Sequence, residues 1–121
     1  MSALWQFLAL LGTHWFADFV LQTHWQASNK SKSNVALLRH VTTYTSVLAI
    51  ASVALFGAMG GPFAAINGIL HFLTDYFTSR ATSKLYAKQD WHNFFVVVGF
   101  DQLIHQATLA VTMLYIFGSR P

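Results

Sequence analysis

Three of the four aspartates in this chain lie in apolar helical segments, and each has a histidine four residues away. The pairs are His14–Asp18, His71–Asp75 and Asp101–His105, the last in reversed order. Four residues make about one helical turn, so each pair shares one helix face. Imidazole and carboxylate together can ligate a divalent metal, pass a proton, or form a structural hydrogen bond. Histidine and carboxylate without thiolate suit zinc, manganese or iron, whereas magnesium wants mainly carboxylates. The chain has no cysteine, which excludes disulfides, thiolate sites and thiol redox chemistry.

The surroundings of these pairs are those of a membrane protein. Of 121 residues, 55% are hydrophobic and only 9% charged, against roughly 25% charged in a soluble domain. Four spans are read at residues 4–22, 35–57, 62–78 and 93–117, each near the ~20 residues a bilayer needs. The fold expected is all-α and membrane-integral, one four-span domain covering residues 1–121. Ser33 or Asn34 caps the second span, and Gly60-Gly61-Pro62 turns into the third with Pro62 at its first position. Asp90 caps the start of the fourth and Gly118 its end. Residues 81–89 read as a short interfacial helix. The start of the chain lacks a positive n-region, and its first apolar run carries His14 and Asp18, so it is expected to be a retained helix.

Basic residues set the orientation. Lys30, Lys32 and Arg39 flank the first connection and Arg80, Lys84 and Lys88 the third, while the middle connection is uncharged. Positive loops stay cytoplasmic, so both termini face away from the cytoplasm, with Arg120 the exception to the pattern. Trp25 and Trp91 mark the cytoplasmic interface and Trp5 the opposite one. The net charge of +3 is scattered over loops and forms no basic helix face, so no nucleic-acid partner is expected. The expected partners are membrane lipids and a homo-oligomer.

This topology brings the pairs together. The first and third spans run toward the cytoplasm and the fourth runs away, so the reversed Asp101–His105 order puts its aspartate at the depth of Asp18 and Asp75. The expectation is a layer of three aspartates with three histidines roughly 6 Å deeper, at ~1.5 Å rise per residue. His40, early in the second span, falls near the aspartate layer. The metal-ligand candidates are His14, Asp18, His40, His71, Asp75, Asp101 and His105, with one of the three aspartates as general base. Gln22, Asn67, Tyr44 and Gln102 are candidates to hold those side chains in place, and Thr43, Thr108 and Thr112 continue the polar faces. Arg39 and Arg80 are candidate phosphate ligands, although such residues more often orient helices. His24 and His92, beside tryptophans at loop edges, read as interfacial anchors. The segment His14-Trp-Phe-Ala-Asp18-Phe-Val resembles His71-Phe-Leu-Thr-Asp75-Tyr-Phe, which suggests two helical hairpins related by an approximate two-fold axis.

Each mid-span aspartate costs about 2.5–3.5 kcal/mol on insertion scales. Three cost on the order of 8–10 kcal/mol at mid-bilayer and less near the interface. Protonated histidines offset part of this, and a divalent metal offsets more because it brings the missing charge itself. The simpler alternative is three separate structural pairs holding the bundle together, with single-pair energies of only ~0.6 kcal/mol.

The runs HWFADFVLQTHW at 14–25, HFLTDYFTSR at 71–80 and DQLIH at 101–105, with the isolated His40, resemble a family of small bacterial and phage inner-membrane proteins known as a domain of unknown function. The resemblance covers essentially the whole chain and implies a four-helix fold with a polar cluster in the bacterial inner membrane. A looser likeness in residue type and setting is to inner-membrane metal-dependent hydrolases. Three functions follow as expectations. The first is a metal-binding membrane protein that hydrolyses a lipid-like ester or phosphoester. The second is a proton or ion relay. The third is a non-catalytic assembly or phage-accessory subunit.

Overall fold

The structure, a computed structural model, describes residues 1–118; Arg120 lies outside the described residues. They form helices and no strand. Helix α1 spans Ala3–Trp15, capped by Ser2, whose Oγ accepts from the Trp5 amide. It runs into a π-helical turn, Phe16–Val20, in which the Leu21 amide donates to the Phe16 carbonyl five residues back. The short α2, His24–Asn29, opens with a capping box between Thr23 and Gln26. Helix α3, Asn34–Phe56, is capped by Ser33. A 3₁₀ turn at Gly57–Met59 reverses the chain into α4, Gly60–Ala87. Gly57 has φ 77°, a conformation that favours glycine. Helix α5, Trp91–Phe117, is capped by Asp90 and ends at Gly118.

Three details depart from the sequence expectation. Residues 81–87 are not a separate interfacial helix but the last two turns of α4, because nothing between Arg80 and Ala87 interrupts helical hydrogen bonding. Pro62 stands at the third position of α4, which begins at Gly60; a proline within the first turn removes no intrahelical bond. The capping box that makes α2 lies inside what reads as plain connection. Of the four expected spans, two helical stretches are long and apolar enough to cross a membrane: Asn34–Ala87, which contains the Gly57 reversal, and Trp91–Phe117. Helix α1 is only 13 residues long before the π turn.

The helices close into a bundle in which α3 and α5 each pack against both α1 and α4. One end has an apolar core of Leu10, Leu48, Phe63, Ala64, Leu109 and Met113, with Phe56 stacked on Phe117 at 4.1 Å between ring centres. Toward the other end the buried positions turn polar: His14, Asp18, His40, His71, Asp75 and His105. Much of the exterior is apolar, with Ile50, Ile69, Phe77, Phe95, Leu103, Val111 and Leu114 each more than half exposed.

Close approach of α3 and α4 depends on small residues spaced four apart, Gly60, Ala64 and Gly68. A Cβ on Gly60 would overlap the backbone of Ser52 and Val53, while one on Gly68 would overlap only the Thr45 side chain. Helix propensity favours alanine over glycine by about 1 kcal/mol, and overpacking costs about 1–3 kcal/mol. Gly60→Ala should therefore lower the thermal unfolding midpoint, because backbone cannot yield. Gly68→Ala should lower it less, because there only the Thr45 side chain must give way.

The Asp90 cap carries a pH signature. The Asn93 side chain, then the Asn93 backbone amide, hold the Asp90 carboxyl below its ordinary value of 3.8. A carboxyl lowered on folding stabilises above its unfolded value, and that contribution disappears as pH falls through the folded value. The gap in unfolding midpoint between the parent and Asp90→Ala should be constant at neutral pH and shrink below pH 3.8.

Candidate metal centre

Asp18 sits in the π turn. The extra residue in that turn swings its carboxylate away from the α1 stripe, and His14 Nε2 to Asp18 Oδ2, at 3.6 Å, is the loosest of the three four-apart pairs. The carboxylate faces α3 and α4 instead: Asp18 Oδ1 is 2.9 Å from His40 Nε2 and 3.3 Å from His71 Nε2. On α4, His71 and Asp75 keep the regular spacing, with Nε2 3.3 Å from Asp75 Oδ2. His40 Nε2 is 3.4 Å from that same oxygen and 3.2 Å from His71 Nε2. All four residues are buried.

Four ligand atoms thus converge from three helices: Asp18 Oδ1, His40 Nε2, His71 Nε2 and Asp75 Oδ2. The five separations above run from 2.9 to 3.4 Å, and the two oxygens lie within 4.8 Å. A tetrahedron with edges of about 3.3 Å has its centre about 2.0 Å from each corner, the length of a zinc–nitrogen or zinc–oxygen bond. Two imidazole nitrogens facing each other beside two carboxylate oxygens have more lone pairs than protons to share. A cation at the centre satisfies all four at once. Stacking fixes the His71 ring, which lies between Tyr44 at 3.9 Å and His105 at 4.0 Å. The Nδ1 atoms of His40 and His71 are buried without hydrogen-bond partners, so here ring packing does the orienting usually done by a hydrogen bond to that nitrogen.

The remaining residues surround this set. His105 Nε2 is 3.1 Å from Asp75 Oδ1 and 3.2 Å from Asp101 Oδ1. Asp18, Asp101 and His105 form a second group able to converge on an ion, and Asp101 is its partly exposed member. The Thr78 hydroxyl donates to Asp101 Oδ1. The Gln102 amide bridges Asp18 Oδ2 and Asp101 Oδ2 at 3.2 and 3.1 Å. Lys30, just beyond α2, reaches Asp75 Oδ2 at 3.0 Å. Burial pulls the Lys30 ammonium down, but Asp75 and Asp18 outweigh it and hold the group above its ordinary value.

The sequence expectation of separate aspartate and histidine layers does not describe this arrangement. Histidines and carboxylates interleave, because the π turn rotates Asp18 inward and the imidazoles reach across to neighbouring helices. His14 joins neither ligand group: its Nδ1 is 2.8 Å from the Tyr44 hydroxyl and its Nε2 is 2.8 Å from Gln102 Oε1. Tyr44 thus meets His14, and Gln102 meets His14, Asp18 and Asp101. Asn67 instead donates to Thr112 and to the Phe63 carbonyl, a turn away from the cluster. Gln22 lines a cavity beside the site. Arg80 stacks on Tyr76 at 3.6 Å and donates to Asn34, and Arg39 lies over Trp25 at 5.4 Å, so neither arginine lines that cavity. Lys30, Thr78 and Ser79 do line it, and sequence reading singled out none of them for the site. The lysine–serine alternation from Lys30 to Ser33, adjoining a span, was the available signal.

The geometry separates ligands from supports. His14→Asn should leave metal content per chain unchanged, because Tyr44 and Gln102 surround it. His40→Asn removes one tetrahedral corner and should lower metal affinity at least tenfold, as read by elemental analysis after dialysis against a graded chelator.

No curated protein and no solved structure matches this chain. A family model does, over residues 6–120, nearly the full length and including every member of the cluster. By that match the chain belongs to the family described as Protein of unknown function (DUF3307).

Proposed function

We propose that this protein is a four-span protein of the bacterial inner membrane that binds a divalent metal ion in its bundle and hydrolyses a lipid-like ester or phosphoester. The observation that carries the metal reading is the convergence of ligand atoms from Asp18, His40, His71 and Asp75 within 4.8 Å of one another. Two imidazoles with two carboxylates favour zinc, manganese or iron over magnesium.

The membrane reading rests on an apolar exterior around an interior that is polar only toward one end. A bilayer is the solvent that suits such a surface. The Asn34–Ala87 stretch supplies two antiparallel arms of 23 and 28 residues, and α5 a third of 27. The fourth is α1 continued through the π turn. On this reading the ends bearing Lys30, Lys32, Arg80, Lys84 and Lys88 face the cytoplasm, the whole chain is one domain, and lipids and other copies of the chain are its neighbours.

A metal bound here supplies a Lewis acid and an activated water. The chain's own residues do the rest. Lys30 and His105 each hold one oxygen of Asp75. Asp18, His40 and His71 would make the two-histidine, one-carboxylate set of many catalytic zinc sites, and Asp75, held on both oxygens, would be the neighbouring carboxylate placed to accept a proton. Asp101, tied to His105, Thr78 and Gln102, keeps His105 directed at Asp75.

A second reading, a proton relay, draws on the unbroken run of contacts from Tyr44 through His14, Gln102, Asp18, His40 and Asp75 to His105 and Asp101. One experiment separates the two. Protein purified without added metal should carry about one divalent ion per chain by elemental analysis; His71→Ala should lose it and Asp75→Ala should hold it more weakly. A metal-free parent that conducts protons in vesicles, with conduction abolished in Asp101→Asn, would sink the metal reading in favour of the relay.

A further inference from the structure

Of the four atoms that converge on the metal set, one is already taken. Asp75 Oδ2 accepts from the Lys30 ammonium at 3.0 Å, while it lies 3.3 Å from His71 Nε2 and 3.4 Å from His40 Nε2. Asp18 is placed differently. Its Oδ1 faces His40 and His71, and its Oδ2 accepts from the neutral Gln102 amide. Among the described residues, Lys30 is the one lysine or arginine that pairs with a carboxylate. It is also firmly mounted. Lys30 caps the end of α2, its amide donating to the Gln26 carbonyl at 2.9 Å, and Gln26 is buried in the capping box that starts that helix.

The consequence is electrostatic. A cation at the centre of the set would lie about 2.0 Å from Asp75 Oδ2, and the ammonium is 3.0 Å from the same oxygen. The two positive charges would then stand at most about 5 Å apart, close enough to repel strongly even in a partly polar interior. One carboxylate oxygen does not serve both well. Asp18, His40 and His71 carry no such competitor and can close on the ion. Space for a fourth partner lies beside them, in a cavity of about 210 Å³ that touches Asp18, Lys30 and Asp75. Zinc sites with three protein ligands and an open fourth position are the catalytic kind, and sites closed by four are structural.

We propose that Lys30 is the residue that keeps this site open: by holding Asp75 Oδ2 it stops Asp75 from closing the set as a fourth ligand and leaves that position to a small molecule from the cavity. Lys30 is thus a positioning residue that acts through Asp75. A single ligating carboxylate also leaves the loaded set with a net positive charge, which is what an electrophilic centre needs. The inference rests on the metal reading and deepens it, because it separates a catalytic centre from a structural one.

The test uses the full chain loaded with cobalt(II), whose visible absorption reports its ligands, and titrated with imidazole as a neutral probe of an open position. In the parent the bands should shift saturably as imidazole binds. Lys30→Met should abolish that shift and raise cobalt affinity about tenfold, the scale on which a ligand's partners alter metal affinity, because Asp75 is released to the ion. Lys30→Arg keeps the charge and should behave as the parent. Combining Lys30→Met with Asp75→Asn should remove the gain in affinity and restore the imidazole shift, since the freed ligand is then absent. A loaded parent whose bands ignore imidazole is already closed and overturns the inference, whether or not the variants fold. A Lys30→Met protein that still binds imidazole, or a gain in affinity that survives Asp75→Asn, overturns it too, and in each case the metal reading stands. A parent that takes up no cobalt overturns both.

Discussion

The rest of the structure depends on the burial of negative charge. Asp18 and Asp75 are 4% and 1% exposed in a bundle whose outer surface is largely apolar. A carboxylate removed from water costs several kcal/mol after relaxation unless cations and hydrogen bonds replace its hydration. Everything near the two aspartates can be understood as such a replacement. His40 and His71 reach both carboxylates, His105 takes the second oxygen of Asp75, and Gln102 takes the second oxygen of Asp18. Lys30 is drawn in from the connection to Asp75. These contacts tie the α2–α3 connection to the interior and bind α1, α3, α4 and α5 to one another at the polar end.

The opposite end of the bundle is built differently. There the apolar residues Leu10, Leu48, Phe63, Leu109 and Met113 fill the space between the helices. The Gly60–Gly68 face lets α4 lie close on α3. Tyr44 joins the two halves, packed in the apolar cluster through its ring while its hydroxyl meets His14. Rigid packing below the cluster is what a metal set requires, because ligand atoms must be held near their working positions before an ion arrives.

The π turn at Phe16–Val20 shows how a local irregularity serves the site. A regular α-helix would place Asp18 one turn from His14 and leave the two as a pair on one face. The widened turn spoils that pair and gives Asp18 to His40 and His71. Such turns carry one unmade α-helical bond and recur at functional sites. The α4 pair, His71–Asp75, has no such turn and keeps its own contact while joining the shared set. The two halves of the internal repeat therefore contribute unequally, one carboxylate from α1 against a histidine and a carboxylate from α4.

Residue type and spacing alone determined that the chain is helical, which faces carry the ionisable groups, and that His40, His71, His105 and the three aspartates meet at one end. Those follow from the 3.6-residue period and from the reversed order in Asp101–His105, which an antiparallel helix converts into equal depth. The caps at Ser33 and Asp90 were legible for the same reason: they depend on residues three or four apart. Tertiary structure decided which atoms face which. The rotation of Asp18 depends on a π turn with no sequence marker, so the pairing across helices was hidden, as was the exclusion of His14 from the ligand set. Lys30 was legible as a loop charge but not as the ion-pair partner of Asp75, 45 residues away in sequence. Only the packing of α2 against α3 brings its side chain to the cavity mouth. Periodicity fixes the face a side chain occupies, while the few ångströms that separate a ligand from a neighbour are set by how the helices turn and pack.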